Sequence, residues 1–312
     1  MPQYALFKGR IVPIEDAKIS IMTHGFNYGT GCFEGIRAYW NPNEEQLYIF
    51  KLLEHYERFL GSSRILLMNL PFTAQRLAEI TVELVRLEGY REDTYIRPLA
   101  YKTDEVIGVK LHGLHDEVAI FATPYGRYMD ADTVHAGISS WRRIDDNSVP
   151  ARAKITGAYI NSAFAKTEAV LNGYDEAIVL TQDGHVSEGS AENIFIVRDG
   201  VLITPPISDN ILEGITRKVM IELARQELGL QVMERPIDRT ELYVADEALF
   251  CGTGVQVVAI TKVDHRPVGT GTLGPIVKAL HDLYFDAVCG KVRKYRGWCT
   301  PVYASVPELA TA

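Results

Sequence analysis

Three short stretches of the sequence carry residue types that can do chemistry together. Lys154, in Ala151-Arg152-Ala153-Lys154-Ile155-Thr156-Gly157, sits among small and apolar neighbours just ahead of an expected helix. A lysine desolvated in such a stretch can serve as a nucleophile. Glu188 and Glu192, in Glu188-Gly189-Ser190-Ala191-Glu192-Asn193, precede the apolar run Ile194-Phe195-Ile196-Val197. Two carboxylates beside a buried strand could act as general acid and base, or one could face a cationic group of a cofactor. Glu213-Gly214-Ile215-Thr216-Arg217 opens an expected helix, where free amides, the helix dipole and the Thr216 hydroxyl favour an anion such as phosphate. A surface lysine, solvated loop acids and ordinary helix capping account for each stretch taken singly.

Taken together, a lysine for a Schiff base, an acid for a protonated ring nitrogen and a helix start for a phosphate describe a pyridoxal phosphate site. Cys251-Gly252-Thr253-Gly254 adds a second cluster of small residues, and without a P-loop lysine it is no triphosphate site. Gly269-x-Gly271-x-x-Gly274 matches the dinucleotide fingerprint in letters only. It follows an expected antiparallel hairpin (Val257–Val263 with His265–Val268) and reads as a loop leading into a helix. Cys32, Cys251, Cys289 and Cys299 form no Cys-x-x-Cys pair, so reduced thiols are expected. His112 and His115 lack the further ligands of a metal site, and no metal is expected.

These groups need a scaffold, and composition bounds it. The 312 residues are 47% hydrophobic and 23% charged, which is ordinary for a globular chain and long enough for two domains. With 32 basic against 40 acidic residues the net charge is −8, which argues against a nucleic-acid partner. No apolar run approaches the roughly 18 residues of a membrane span, and no signal peptide is visible, so a cytoplasmic location is expected. Helices are expected over Leu52–Ser63, Thr73–Glu88 (Thr73 capping, Gly89 ending), Ala158–Leu171, Ile215–Glu227 and Ile276–Ala287. Strand-like runs are Cys32–Trp40, Gln46–Phe50, Thr94–Tyr101 and Glu117–Thr123. Ala177–Thr181, Ile194–Val197 and Val201–Thr204, punctuated by Asp-Gly turns, read as an antiparallel meander. The expected division is a smaller α/β domain over 1–123, a connection over 124–132 and a larger cofactor-binding domain over 133–312.

The ordered motifs carry a resemblance. His24-Gly25-Phe26-Asn27-Tyr28-Gly29-Thr30, Phe33-Glu34-Gly35-Ile36-Arg37, Glu54-His55-Tyr56-Glu57-Arg58 and Tyr95-Ile96-Arg97-Pro98-Leu99 come first. Ala153-Lys154 with Tyr159, Ser187-Glu188-Gly189 with Glu192-Asn193, Gly214-Ile215-Thr216-Arg217, Ala245-Asp246-Glu247 and Gly252-Thr253 follow. From about Tyr4 to Gly297 the chain resembles the class IV, fold-type IV pyridoxal phosphate transaminases, and most of all the branched-chain amino acid aminotransferases. The resemblance implies a two-domain α+β fold of the D-amino-acid aminotransferase type, pyridoxal 5'-phosphate as cofactor, and transfer of the amino group of L-leucine, L-isoleucine or L-valine to 2-oxoglutarate.

It also implies roles. Lys154 would bond the cofactor and shuttle the Cα proton, Glu188 would face the pyridine nitrogen, and Tyr159 the phenolic oxygen. Arg58, the Ile215 and Thr216 amides and Thr253 would hold the phosphate. Tyr95 and the amides around Thr253-Gly254 would take the substrate α-carboxylate. Arg97 would take the second carboxylate of glutamate, helped by Tyr28 and Val109 from a neighbouring subunit of a homodimer or larger homo-oligomer. Phe33, Tyr28, Ile107, Tyr125 and Tyr128 would line the apolar pocket. The chain departs from the family at Thr253-Gly254, commonly Thr-Ala, in the following Val255-Gln256-Val257-Val258, and at Tyr125, often Trp in bacterial members. These departures bear on the substrate side. An (R)-amine transaminase, a D-amino acid transaminase or an aminodeoxychorismate lyase on the same fold is the alternative, with a non-catalytic binding protein behind it. Tyr95 and Arg97 favour the branched-chain reading.

Overall fold

The structure is a computed structural model and describes residues 1–126 and 133–303. The first half runs β1 (Tyr4–Phe7), β2 (Arg10–Pro13), α1 (His24–Tyr28), β3 (Gly31–Phe33), β4 (Ile36–Asn41), β5 (Gln46–Phe50), α2 (Leu52–Ile65), α3 (Ala74–Glu88), β6 (Thr94–Lys102) and β7 (Asp116–Pro124). The second half runs β8 (Thr133–Arg142), α4 (Tyr159–Leu171), β9 (Glu176–Leu180), β10 (Val186–Gly189), β11 (Asn193–Arg198), β12 (Val201–Thr204), α5 (Ile215–Gln226) and β13 (Val232–Glu234). It closes with β14 (Glu247–Gly252), β15 (Gln256–Val263), β16 (Arg266–Pro267), α6 (Pro275–Val288) and β17 (Cys299–Pro301). The chain is α+β, as expected.

Among the described residues the strands build two sheets. The first has the order β17-β5-β4-β6-β7-β1-β2, with β3 also on β6, and is antiparallel throughout. Its spine is the β6–β7 pair, where β6 alternates strictly between buried and half-buried positions, the period of a strand with one covered face. The faces of α2 and α3 cover it through Tyr56, Phe59, Leu77, Leu84 and Val85. Thr73 caps α3 by accepting from the Arg76 amide, and Gly89 ends it in the left-handed conformation.

The second sheet has the order β10-β9-β8-β15-β14-β11-β12-β13, with β16 on β15. Here the expected antiparallel meander needs correction. β9–β10 and β11–β12 are antiparallel hairpins as expected, but β8, β15 and β14 stand between them in the sheet, with β8 parallel to both β9 and β15, and β12 runs parallel to β13. A parallel pair needs a crossover, and α4 supplies it between β8 and β9. The expected strand Cys32–Trp40 also divides. Glu34 and Gly35 interrupt it, so that β3 pairs with the far half of β6 and β4 with the near half. A Cβ on Gly35 would stand 2.3 Å from the Tyr95 hydroxyl, so the chain can approach that ring only as glycine.

The two sheets share a core. Tyr39, Tyr48 and Phe50 of the first pack with Leu249 and Val257 of the second and with Val219, Leu280 and Tyr284 of α5 and α6. The Tyr39 and Tyr284 hydroxyls bond across this seam at 3.0 Å. β17 returns to pair with β5. No helix among the described residues is long and apolar enough to cross a membrane.

Candidate active site

A cavity of about 470 Å³ opens between the sheets, a size that suits a small cofactor with its substrate. Lys154 reaches it from the segment joining β8 to α4. The first sheet and α2 fix that backbone: the Phe33 amide donates to the Lys154 carbonyl at 3.0 Å, Ile155 bridges to Cys32, and the Lys154 amide donates to the Ser62 hydroxyl of α2 at 3.2 Å. The Lys154 Nζ donates to the Tyr159 hydroxyl at 2.6 Å, from the first turn of α4. Both side chains flank Phe33, whose ring lies 4.7 Å from that of Tyr159 and 5.0 Å from the ammonium.

Glu188 faces the same cavity from β10, 4% exposed. Arg143, just past the end of β8, meets its Oε1 at 2.8 Å, and the Asn193 amide group and the Leu212 backbone amide each donate to Oε2 at 3.0 Å. Burial raises the Glu188 pKa, against the pull of Arg143 and the Leu212 amide. Glu192 is buried beside it and accepts from the Ala191 amide at 3.0 Å. Burial, reinforced by the neighbouring charge of Glu176, pushes its carboxyl up to about 8. The two carboxylates of the motif therefore differ: Glu188 has an arginine against it and Glu192 an acid.

The opposite end of the cavity is built for an anion. α5 begins at Ile215 with Gly214 as its N-cap, so no side chain covers its first-turn amides. Gly214 is forced by packing: a Cβ there would lie 1.9 Å from the Asn193 Oδ1. At α6, by contrast, the Glu247 carboxylate accepts from the Ile276 and Val277 amides at 3.1 and 2.7 Å. The glycine fingerprint that precedes α6 therefore ends on a helix start already occupied by a carboxylate. Arg58, on α2, stands over α5 with its Nη1 on the Glu213 carbonyl at 3.0 Å. Glu34 holds it from below through a two-pronged pair, and His55 bonds the same carboxylate at 2.8 Å. Burial alone would raise the Glu34 pKa, but the Arg58 charge and the hydrogen bonds from His55 and Arg58 outweigh it and hold the carboxyl far below its usual range.

The residues present thus fit pyridoxal phosphate: an amine beside a phenol, a buried carboxylate across the cavity, and uncapped amides with a guanidinium for the phosphate. Arg58, Lys154, Tyr159, Glu188, Ile215, Thr216 and Thr253 all line the cavity, as do Phe33, Tyr95, Arg97, Tyr125 and Gly254. Arg97 donates to the Tyr95 hydroxyl at 2.7 Å and lies 4.4 Å over the Phe33 ring, with a buried Nε that has no hydrogen-bond partner. Tyr28, Ile107 and Val109 are not brought into this cavity. Tyr28 accepts from the Gly108 amide at 3.1 Å, and Ile107 and Val109, on either side of that glycine, stand 82% and 78% exposed. Tyr128 lies outside the described residues.

Sequence reading gave no role to Glu34, Arg143 or Asn193. Glu34 and Asn193 stood inside quoted motifs, but nothing in a strand-like run tells a buried acid from a solvated one. Arg143 carried no pattern at all.

The Amino-transferase class IV family model matches residues 31–263. A protein of Aquifex aeolicus named "Probable branched-chain-amino-acid aminotransferase" is 54% identical over 301 residues, covering 96% of this chain and 97% of the relative. Among solved structures, the branched-chain aminotransferase of the thermophilic archaeon Thermoproteus uzoniensis with norvaline superposes with a TM-score of 0.93 at 46% identity, covering 97% of this chain and 100% of that one. The branched-chain amino acid aminotransferase of Thermobaculum terrenum, in its PLP-form, superposes with a TM-score of 0.93 at 41% identity, over 97% and 99% of the two chains.

Proposed function

The chain belongs to the class IV aminotransferases, and from that premise we propose that it transfers the amino group of L-leucine, L-isoleucine or L-valine to 2-oxoglutarate, with pyridoxal 5'-phosphate as cofactor. The observation that carries this reading is the Lys154–Tyr159 contact at 2.6 Å, in one cavity with buried Glu188 and the uncapped start of α5. Bound there, pyridoxal phosphate supplies an aldehyde that takes up the amino group and a ring that withdraws electrons from the α-carbon.

The chain's own residues do the rest. Lys154, the one lysine lining the cavity among the described residues, bonds the cofactor and then moves the proton at the substrate α-carbon. Tyr159 orients that amine. Glu188 keeps a negative charge at the ring nitrogen, and Arg143 and Asn193 hold it in place. Arg58, Thr253 and the Ile215 and Thr216 amides bind the phosphate. Tyr95 and the Thr253-Gly254 turn receive the α-carboxylate. Arg97 meets the distal carboxylate of glutamate, while Phe33 and Tyr125 accept the aliphatic side chain. An apolar pocket with one arginine at its rim can thus take both substrates in turn.

The exposed apolar side chains of Phe26, Ile107 and Val109, with Tyr28 held at the Gly108 amide between the last two, support a homodimer in which Tyr28 and Val109 complete the partner's pocket. A fully active monomer in sedimentation at assay concentration would refute the dimer. The activity itself is tested with a panel of branched-chain, D-amino and (R)-amine donors against 2-oxoglutarate. Turnover confined to the D-amino acids or amines would assign the chain to another reaction of the same family.

A further inference from the structure

The segment 105–110, between β6 and β7, is exposed along its whole length. Among the described residues its hydrogen bonds run through Gly108 alone. The Gly108 amide donates to the Tyr28 hydroxyl at 3.1 Å, and His24 Nε2 meets the Gly108 carbonyl at 2.7 Å. His24 is the first residue of α1 and the one buried residue of that helix, 0% exposed. Its ring lies 4.7 Å from that of Tyr28, so the two side chains hold Gly108 together. A carbonyl only accepts, which places the ring hydrogen on Nε2. Nδ1 then accepts from the Thr30 hydroxyl at 2.7 Å.

The histidine thus faces two ways. Thr30 lies between Gly29 and Gly31, whose carbonyls accept from the Thr156 hydroxyl at 2.9 and 3.0 Å, two residues past Lys154. Through Thr30 it would act on the cavity of its own chain. Gly31 is already fixed there, however, because the Thr156 amide also donates to its carbonyl at 2.9 Å. The segment around Gly108 has no comparable second anchor, so the loss of His24 falls on Ile107 and Val109.

We propose that His24 is a positioning residue that acts across the subunit interface. By holding Gly108 it fixes Ile107 and Val109, the segment lent to the partner subunit's cavity, and so sets how tightly that cavity binds the side-chain end of the substrate. This rests on the proposed homodimer, in which Tyr28 and Val109 complete the partner's pocket.

The test uses cofactor-loaded protein with leucine as donor and 2-oxoglutarate as acceptor. His24→Asn keeps a polar group toward Thr30 but is too short for Gly108, whereas His24→Gln keeps a donor at the Nε2 position. His24→Asn is expected to raise the KM for 2-oxoglutarate roughly two- to tenfold, the span of one neutral hydrogen bond. Its kcat and cofactor absorbance stay unchanged, and His24→Gln restores most of the loss.

Mixed dimers of differently tagged chains separate the two directions. Paired with a Lys154→Ala chain, the His24→Asn chain carries the working lysine and faces an intact segment, so KM returns to the wild-type value. With both substitutions on one chain and a wild-type partner, the working lysine faces the weakened segment and KM stays raised. Gly108 has a φ of +140° and open space around it, so Gly108→Ala strains the same segment without a clash. It is expected to give the same pattern and decides the matter should the histidine variants fail to fold. The reverse pattern, equal values in the two mixed dimers, or an altered cofactor absorbance with unchanged KM overturns the proposal. A monomeric wild type would overturn the homodimer and this proposal with it. A dimeric wild type that does not use leucine would overturn the proposed substrate alone, and the mixed dimers are then compared with the donor it does use.

Discussion

Arg58 and Glu34 meet in a two-pronged pair, Nε to Oε1 at 2.7 Å and Nη2 to Oε2 at 2.8 Å, at the start of α5. The pairing fixes the guanidinium plane, and the remaining Nη1 stands on the Glu213 carbonyl, one residue before the helix N-cap. Charge alone would not do this, because an ammonium cannot present two parallel donors to a carboxylate and a third to the carbonyl. Arg58→Lys is therefore expected to weaken cofactor affinity roughly ten- to a hundredfold, the loss of one or two charge-assisted bonds. Activity should return at saturating cofactor, since Lys154 and Glu188 are untouched. Titration of the cofactor-free variant measures this, and an unchanged dissociation constant would remove Arg58 from the phosphate site.

Glu192 gives a pH prediction. Its ordinary pKa is 4.5, and in the folded protein burial and the charge of Glu176 push it up to about 8. Between these values the folded state holds a proton that the unfolded chain has released, so stability falls as pH rises through the window. Glu192→Gln carries no such proton. Its stability relative to wild type should therefore improve from about pH 5 to pH 8, by an amount on the order of a few kcal/mol at most, read as a rising difference in melting temperature. A constant difference in melting temperature between the two proteins across the window would show that Glu192 is ionised throughout.

Arg97 is the residue proposed to carry the dual recognition. A partly desolvated guanidinium–carboxylate contact contributes roughly 1.5–3 kcal/mol, and about 1.4 kcal/mol is tenfold. Arg97→Leu should slow the half-reaction with glutamate or 2-oxoglutarate by roughly ten- to a hundredfold and that with leucine far less. Among the described residues no carboxylate pairs with Arg97, whose one hydrogen bond goes to Tyr95. An equal loss in single-turnover measurements of both half-reactions would take Arg97 out of the substrate site.

How far the sequence carries the structure depends on whether a feature is local. Thr73 and Gly89 bracket α3 because capping is decided within a few residues, and the alternation of β6 records one covered face. The split between β3 and β4 was not legible. It depends on Glu34 finding Arg58 and His55, which are 24 and 21 residues away, and on Gly35 meeting the Tyr95 hydroxyl. The parallel placement of β8 was hidden for a similar reason, since the run Thr133–Arg142 reads alike whichever neighbours it joins. At the site, Lys154, Glu188 and the start of α5 announced themselves by residue type. Arg143, which secures Glu188, and Arg37, which touches Gly254, are defined only by contacts across the fold.

Lys154 is the residue proposed to bond the cofactor. Borohydride reduction of the cofactor-loaded protein, followed by peptide mapping, locates that bond. The phosphopyridoxyl group is expected on Lys154 alone, and Lys154→Ala is expected to fold, to lose the bound-cofactor absorbance that borohydride bleaches, and to lose transamination. A label on any other lysine, or turnover retained by Lys154→Ala in a preparation free of other transaminases, would show that Lys154 does not bond the cofactor.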